Sequence, residues 1–325
     1  MLSIKKYTAK NIILWNNFIN TSNNGTIFQS QSFLKYHLKR KFIDNSLIFK
    51  KKNKIIAVLP AVKHQSKNQL TLYSHPGASY GGIIIPNEIS FKTINEIIQS
   101  LEFYCIQNGF KSIILINTPI IYFNKPNESI NYLLYWNQYF IKELYISHAV
   151  DLSSYNHIGD FLSKRKQRYI KNSTQLSKFK IKPSDNFYQF YQILSKSKKT
   201  YKTKPTHSLK ELISLKKIFP KQCELLITSM DKKVVGGALL FFANKKVSLV
   251  FYNVVDESFR NSQLSSYQLF KCMEFSKKRG VSFVDFGVSH TPEQNNPLAP
   301  KLSLIKFKEQ FGARGVIRTI YKKVF

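Results

Sequence analysis

The chain has 325 residues, 43% of them hydrophobic and 14% aromatic, which excludes a disordered polymer and leaves room for two domains of ordinary size. Fifty basic residues against 18 acidic ones give a formal charge of +32, pointing to an anionic partner: nucleic acid, a phosphorylated substrate or an acidic membrane surface. Only seven basic residues are Arg, and the chain is crowded with Lys, Asn and Ile; an AT-rich genome produces the same skew, so charge alone does not establish RNA binding.

Three cysteines, Cys105, Cys223 and Cys272, show no short spacing, which argues for reduced thiols in a cytosol. Seven scattered histidines show no metal-ligand spacing, so no metal site is expected. Met1–Lys10 is polar and lacks the apolar region of a signal peptide. No apolar run approaches the ~18 residues that span a bilayer. These features predict a cytoplasmic protein without a transmembrane segment, at most peripheral to the inner face of the membrane.

In chain order, helices are predicted over Ala9–Asn20 and Ser32–Lys39. Short apolar runs follow at Ser46–Phe49, Ile55–Val62 and Leu70–Tyr73, separated by turns, with Pro60 marking an edge or a bulge. A glycine-rich loop, Pro76–Gly82, precedes a helix over Phe91–Asn108, where Ile94, Ile97, Ile98, Leu101 and Cys105 recur at spacings of three and four. Gly109 sits where a helix end favours a left-handed residue. A buried strand over Ser112–Asn117, a helix over Ile130–Tyr139 and a strand over Glu143–Asp151 complete the first half.

The second half repeats this order about 170 residues later. Helices are predicted over His157–Lys178, Phe187–Ser197 and Ser208–Ile218. Strands over Leu225–Thr228, Val234–Phe242 and Ser248–Val254 form a meander with short turns. A polar loop, Asp256–Ser262, leads to a helix over Gln263–Arg279, ended by Gly280, and a strand over Val281–Phe286. A helix at Lys301–Gln310 and a strand at Val316–Val324 close the chain. Each strand–helix–strand step should place its strands parallel with the usual crossover. The boundary is expected near Leu152–Gly159, giving domains 1–155 and 156–325.

Three segments carry a family resemblance. The first is Ser74-His75-Pro76-Gly77-Ala78-Ser79-Tyr80-Gly81-Gly82. The second is Ser163-Lys164-Arg165-Lys166-Gln167-Arg168-Tyr169-Ile170-Lys171. The third combines Phe251-Tyr252, the helix Leu264–Gly280, Asp285-Phe286-Gly287 and Phe307-Lys308-Glu309-Gln310-Phe311-Gly312. Together they resemble the FemABX and related (BioF2-like) acyltransferase group over nearly the whole chain. The element order, read twice, is similar to the GNAT acyltransferase fold. The resemblance implies an α/β protein (α+β, mixed sheets) of two tandem GNAT-like domains, the first a degenerate copy and the second binding the donor and catalysing transfer.

FemABX enzymes often carry a long coiled-coil insertion in the second half. Only about 40 residues separate Lys178 from Lys221, which leaves no room for one. Relatives without it look like general acyltransferases. The expected function is transfer of an acyl or aminoacyl group onto an amine or hydroxyl of a cell-envelope or polysaccharide precursor. No tightly bound cofactor is expected, and acyl-CoA is favoured over aminoacyl-tRNA as co-substrate. The alternatives are an aminoacyl-tRNA-dependent peptidoglycan peptide-bridge ligase and a non-catalytic module that binds RNA or an anionic glycan. The partners are thus an anionic donor and a sugar or peptide precursor.

In GNAT-like folds the helix after the meander points its N-terminus at the pyrophosphate of acyl-CoA, where backbone amides and the helix dipole favour an anion. Arg260, Gln263, Leu264 and Ser265 occupy the matching positions, although the usual glycine pattern is missing. Gly236-Gly237 interrupts a strand, which signals a bulge or the splay that accepts an acyl-pantetheine arm. Arg165 and Lys166 flank the apolar face of the basic helix, with Arg168 opposite; these three, with Ser79 and Tyr80, are the substrate-binding candidates. Lys198, Lys199, Lys202 and Lys204 surround Tyr201 in a second basic stretch that suits tRNA or a solvated loop. The catalytic candidates are Tyr252 as proton donor, Asp285 and His290 as proton acceptors, and Lys308 as the cation that holds an anionic substrate, as the resemblance implies. Gly77-Ala78-Ser79-Tyr80-Gly81 also fits G-x-S-x-G, but an extended run follows it, not a helix, so a serine-hydrolase elbow is not expected. The glycines should let this loop line the cleft between the halves.

Overall fold

The computed structural model describes residues 2–37, 40–66, 69–154, 156–171, 174–200, 202–259, 261–290 and 296–325. They fall into two compact units, Met1–Tyr145 with Val316–Phe325, and Ile146–Gly315.

The first unit opens with a strand the sequence reading did not anticipate, β1 (Leu2–Lys6), in which Leu2 and Ile4 alternate with polar residues. Helices α1 (Ile12–Thr21) and α2 (Gln31–Leu34) and strands β2 (Ile43–Asp44), β3 (Leu47–Lys51) and β4 (Lys54–Leu59) follow. Lys52 and Asn53 turn β3 into β4 with positive φ at both positions, the geometry of a two-residue hairpin. The expected single run Ile55–Val62 is two strands. It breaks at Pro60, which has no amide proton to give a ladder, and resumes as β5 (Val62–Ser66) in another sheet. The strands β1-β3-β4 form one small sheet.

After β6 (Gln69–Ser74) the helix α3 (Phe91–Gln107) buries Ile94, Ile97, Ile98, Leu101 and Cys105, the predicted face. Each of these aliphatic side chains contributes about 1.5–3 kcal/mol when taken fully from water. Ser90 caps its start by accepting the Thr93 amide, and Gly109, at φ 74°, ends it. The chain continues through β7 (Ser112–Ile116), α4 (Ser129–Trp136) and β8 (Phe140–Asp151).

The second unit holds α5 (Lys164–Lys171), α6 (Thr174–Ser177), β9 (Lys180–Pro183), α7 (Phe187–Thr200), α8 (Leu209–Ile218), β10 (Cys223–Met230), β11 (Lys233–Phe242), β12 (Val247–Val255), α9 (Leu264–Lys278), β13 (Phe283–Val288) and α10 (Leu302–Glu309). The expected helix over His157–Lys178 opens instead with a short 3-10 turn at Ile158–Phe161; α5 and α6 follow, and residues 172–173 lie outside the described residues. The final strand, β14 (Arg314–Val324), pairs through Ile320–Val324 with β7 of the first unit.

The strand order of the first unit is β2-β5-β6-β7-β14, with β6 and β7 parallel across α3. That of the second is β8-β13-β12-β11-β10-β9, with β12 and β13 parallel across α9. Both units therefore carry the same motif: a hairpin strand, a crossover helix, a parallel strand, then an antiparallel one. The antiparallel strand comes from elsewhere in the chain in each case. The chain passes between units inside β8 and returns inside β14, and Leu152–Gly159 falls within the second unit.

Candidate active site

The two parallel pairs differ in what happens beyond them. In the second unit, β12 and β13 pair only over Val247–Leu249 and Phe283–Asp285, although β12 runs on to Val255. Its register with β11 jumps at Phe251, so this residue is a bulge and the free end of β12 leaves the line of β13. In the first unit the corresponding place is filled by the loop after β6. The Gly81 amide donates to Ile116 O (2.9 Å) and the Gly82 amide to Ser74 Oγ (2.5 Å). Gly82 lies at φ 73°, and a Cβ there would meet Asn117 Oδ1 at 2.9 Å.

The free end of β12, the C-terminal turn of α7 and the first turn of α9 surround a cleft of about 260 Å³, lined by Ser197, Thr200, Asn253, Glu257 and Ser265. Its walls are fixed by a buried network. Gln268 of α9 accepts from Thr228 Oγ1 (2.6 Å) and donates to Asn253 Oδ1 (2.7 Å) and Val254 O (3.1 Å). Asn253 in turn donates to Ser265 Oγ (3.0 Å). Sequence reasoning missed Gln268, Asn253 and Thr228. The signal was present: Leu264, Gln268 and Cys272 share one face at a spacing of four, so the Gln lies on the buried stripe.

Gly236 leaves room for this network, and Gly237 for the packing of β11 against β10 and α7. A Cβ on Gly236 would stand 2.5 Å from Gln268 Oε1, and one on Gly237 would stand 2.8 Å from Leu226 O and 3.0 Å from the Phe190 ring. Of the donor-loop candidates, Gln263 precedes α9 in a left-handed conformation (φ 57°) with no side-chain cap, and Leu264 is buried. Arg260 lies outside the described residues, as does Tyr201 of the second basic stretch.

The basic helix contributes one side chain to the first turn of α9. Lys166, only 5% exposed, donates to Ser266 Oγ (2.7 Å) and Gln263 Oε1 (3.2 Å). Its ammonium lies over the rings of Phe307 (4.7 Å) and Phe311 (5.5 Å). Burial, and secondarily the charge of Arg165, lower its pKa from the ordinary lysine value to about 8. Arg165 and Arg168 are exposed, Arg165 resting over Tyr169.

Asp285 and Lys308 meet at the end of β13. Between Asp285 and Val288 the register with β8 slips, leaving Phe286 and Gly287 opposite His148. Asp285, fully buried, closes this bulge by accepting the Gly287 amide (2.7 Å). The Lys308 ammonium gathers its carbonyls, donating to Gly287 O (2.7 Å), Val288 O (2.8 Å) and Ser289 Oγ (3.0 Å). His148 Nδ1 lies 2.9 Å from the same Ser289 hydroxyl, and burial holds its pKa below the usual histidine value. His290 is braced by backbone: Nε2 accepts the Ile146 amide (2.8 Å), so Nδ1 is the protonated nitrogen, and it faces Leu298 O at 2.5 Å. The Tyr252 hydroxyl accepts the amides of Thr206 (3.0 Å) and His207 (3.4 Å), and burial raises its pKa.

Tyr80 belongs to the first unit's interior. It is buried, donates to Tyr122 Oη (3.1 Å) and packs beneath the Arg318 guanidinium. Ser79 is half-buried beside it. The structure thus brings together Lys166 with Gln263, Asp285 with Lys308, and Ser265 with the cleft, and leaves Tyr252 tied to the loop before α8. All three thiols are buried with raised pKa values, Cys223 to about 12, which removes them as nucleophiles. Among the described residues no group of His, Cys, Asp or Glu has the makings of a metal site. No described helix is long and apolar enough to cross a membrane.

Comparison with known proteins agrees with this architecture. The model of the FemAB family matches residues 135–320, more than half the chain. The crystal structure of FemX superposes with a TM-score of 0.76 at 10% identity, covering 99% of this chain and 97% of that one. The C-terminal domain of a putative lysylphosphatidylglycerol synthetase from Agrobacterium fabrum gives 0.62 at 9% identity, covering 97% and 92%. A tandem GNAT protein from the clavulanic acid biosynthesis pathway gives 0.55 at 8% identity, covering 100% and 98%. At such identities the likeness is one of fold. A search of the curated proteins found no match. With a family model over more than half its length and the repeated motif in both units, this chain belongs to the FemAB family and is a transferase of tandem GNAT-type construction.

Proposed function

We propose that this transferase moves an aminoacyl group from aminoacyl-tRNA to an amine of a cell-envelope precursor, and that the second unit carries the reaction while the first is architectural. The observation that carries this reading is the parting of β12 from β13 beside the first turn of α9, where Lys166 keeps a buried ammonium. A helix N-terminus already favours an anion, and a lysine placed there adds to that positive field. The closed loop at the matching place in the first unit supports the division of labour.

In the transfer, the amine nitrogen attacks the ester carbonyl, the amide bond forms, the ester C–O bond breaks, and the leaving hydroxyl takes up the proton that the amine loses. No enzyme nucleophile is needed. Lys308 spends its three protons on Gly287 O, Val288 O and Ser289 Oγ, so its part in the transfer is to fix the end of β13. Asp285 keeps the same bulge closed, and Tyr252 holds the loop before α8. His290, with both ring nitrogens turned to backbone, acts as a strut.

The sequence alone favours acyl-CoA as donor; membership of the FemAB family supports aminoacyl-tRNA in its place, and a charge of +32 is compatible with a polyanion. Acyl-CoA is the second reading, favoured by the parted strands, which in GNAT folds receive a pantetheine arm. A titration with tRNA, CoA and acetyl-CoA at two salt concentrations, followed by an aminoacyl-transfer assay, separates them. The expected result is salt-sensitive tRNA binding, no thermal stabilisation by CoA, and transfer. Stabilisation by CoA without tRNA binding would move the assignment to the second reading; neither binding nor transfer would refute both.

A further inference from the structure

In a chain of 50 basic and 18 acidic residues, the cleft at the free end of β12 has the opposite sign. Among the described residues its lining carries one formal charge, the carboxylate of Glu257, beside hydroxyls, the Asn253 amide and two valines of β12. Glu257 accepts the Thr200 hydroxyl at Oε1 (2.8 Å) and forms no ion pair among the described residues. Lys196, one position before Ser197 in α7, reaches Asp256 instead (3.9 Å). The Gln268 network fixes the facing wall. With Asn253 Oδ1 occupied by Gln268, the Asn253 amide nitrogen donates to Ser265 Oγ (3.0 Å) and Ser265 O (3.1 Å). The Ser265 hydroxyl oxygen keeps a second lone pair for another donor. This wall offers acceptors and negative charge, whereas a phosphate needs donors and positive charge.

We infer that this cleft holds the protonated α-amino group of the aminoacyl donor, with Glu257 as its counter-ion. The inference deepens the aminoacyl transfer proposed above and rests on it. An ammonium has three donors and no acceptor, which the Glu257 carboxylate, Ser265 Oγ and the Ser197 hydroxyl of α7 match. The acceptor amine does not fit here. It must attack as the free base, and a neighbouring carboxylate favours its ammonium form. The donor's α-nitrogen makes no bond in the transfer. Kept protonated, it draws electrons from the adjacent ester carbonyl and is itself unable to attack a second ester. A simple acyl group carries no charge for Glu257 to meet. The anionic part of the donor is left to Lys166 and the first turn of α9, so the two signs of charge on an aminoacyl-tRNA are met at separate places.

The experiment measures filter retention of bulk tRNA by the whole chain, with the tRNA in three forms: charged with a mixture of radiolabelled amino acids, the same charged tRNA after N-acetylation, and uncharged. Low salt and a pH of about 6 keep a free α-amino group protonated. Acetylation removes its charge and leaves the ester and the tRNA in place. The unaltered chain should bind charged tRNA about five- to tenfold more tightly than the acetylated form, and Glu257→Gln should bring that ratio to about one. Because the ratio is taken within each protein, the general gain in polyanion binding from losing one negative charge cancels. Glu257 is exposed, and circular dichroism checks that the variant folds. Equal binding of the two forms by the unaltered chain, or a preference that Glu257→Gln retains, would overturn the inference and leave tRNA as the donor. Retention of none of the three forms would overturn the donor reading itself, and the inference with it.

Discussion

Lys166→Met should stabilise the protein near neutral pH and weaken donor binding. Lys166 titrates at about 8 in the fold and at 10.5 when unfolded. Between those values the unfolded chain holds more protons, so stability rises with pH from about 8 to 10.5. Below pH 8 the full penalty for the buried charge is present. At ~1.4 kcal/mol per pH unit the limit is about 3.4 kcal/mol; solvent screening at the cleft edge and the hydrogen bonds to Gln263 and Ser266 reduce it to roughly 1.5 kcal/mol. Methionine fills the space between Phe307 and Phe311, and Ser266 keeps a partner in Gln263 Oε1 at 3.1 Å. At pH 7 the variant should melt about 3–6 °C higher, and the gap should close toward pH 10. Calorimetry at several pH values, with tRNA binding measured in parallel, tests this. A variant that is less stable at pH 7 by an amount independent of pH would show that the ammonium is a structural anchor and sink the argument that it is maintained for an anion.

Tyr252→Phe removes the acceptor of the Thr206 and His207 amides and should cost about 1–2 kcal/mol, with faster hydrogen exchange at those two amides as the local readout. Gly236→Ala drives a methyl against Gln268 Oε1 and Val254 O and should lower stability by about 1–3 kcal/mol in chemical denaturation. Lys308→Met leaves the carbonyls of Gly287 and Val288 without their cation, so it should lower the melting temperature and abolish transfer, whereas a variant with full activity would remove Lys308 from the reaction. Burial, and secondarily the charge of His37, hold His75 at about 4. Its stabilising neutral form is fully present above 6.5 and is lost as pH falls toward 4, so His75→Gln should flatten the acid limb of a melting-temperature profile.

Periodic segments were legible because their physics is local. The stripe Ile94, Ile97, Ile98, Leu101, Cys105 specifies a buried helix whatever surrounds it, and Gly109 ends it because a left-handed residue is needed there. The repeat of strand, helix and parallel strand followed from element order, and with it the GNAT-type fold. Pairing was not legible. Nothing in Val316–Val324 says that it joins β7, since a strand carries the same alternation whichever partner accepts it. The site divides along the same line. Residue types placed Lys166, Gln263, Asp285 and Lys308 among the candidates, yet their partners come from distant positions: Lys166 reaches Ser266 across 100 residues and Lys308 reaches the β13 bulge across about 20. A charge run reads as a solvated face because most of its members are, as Arg165 and Arg168 remain. What distinguishes the middle lysine is the pair of rings from α10 and the segment after it that cover it, and that distinction exists only once the unit is folded.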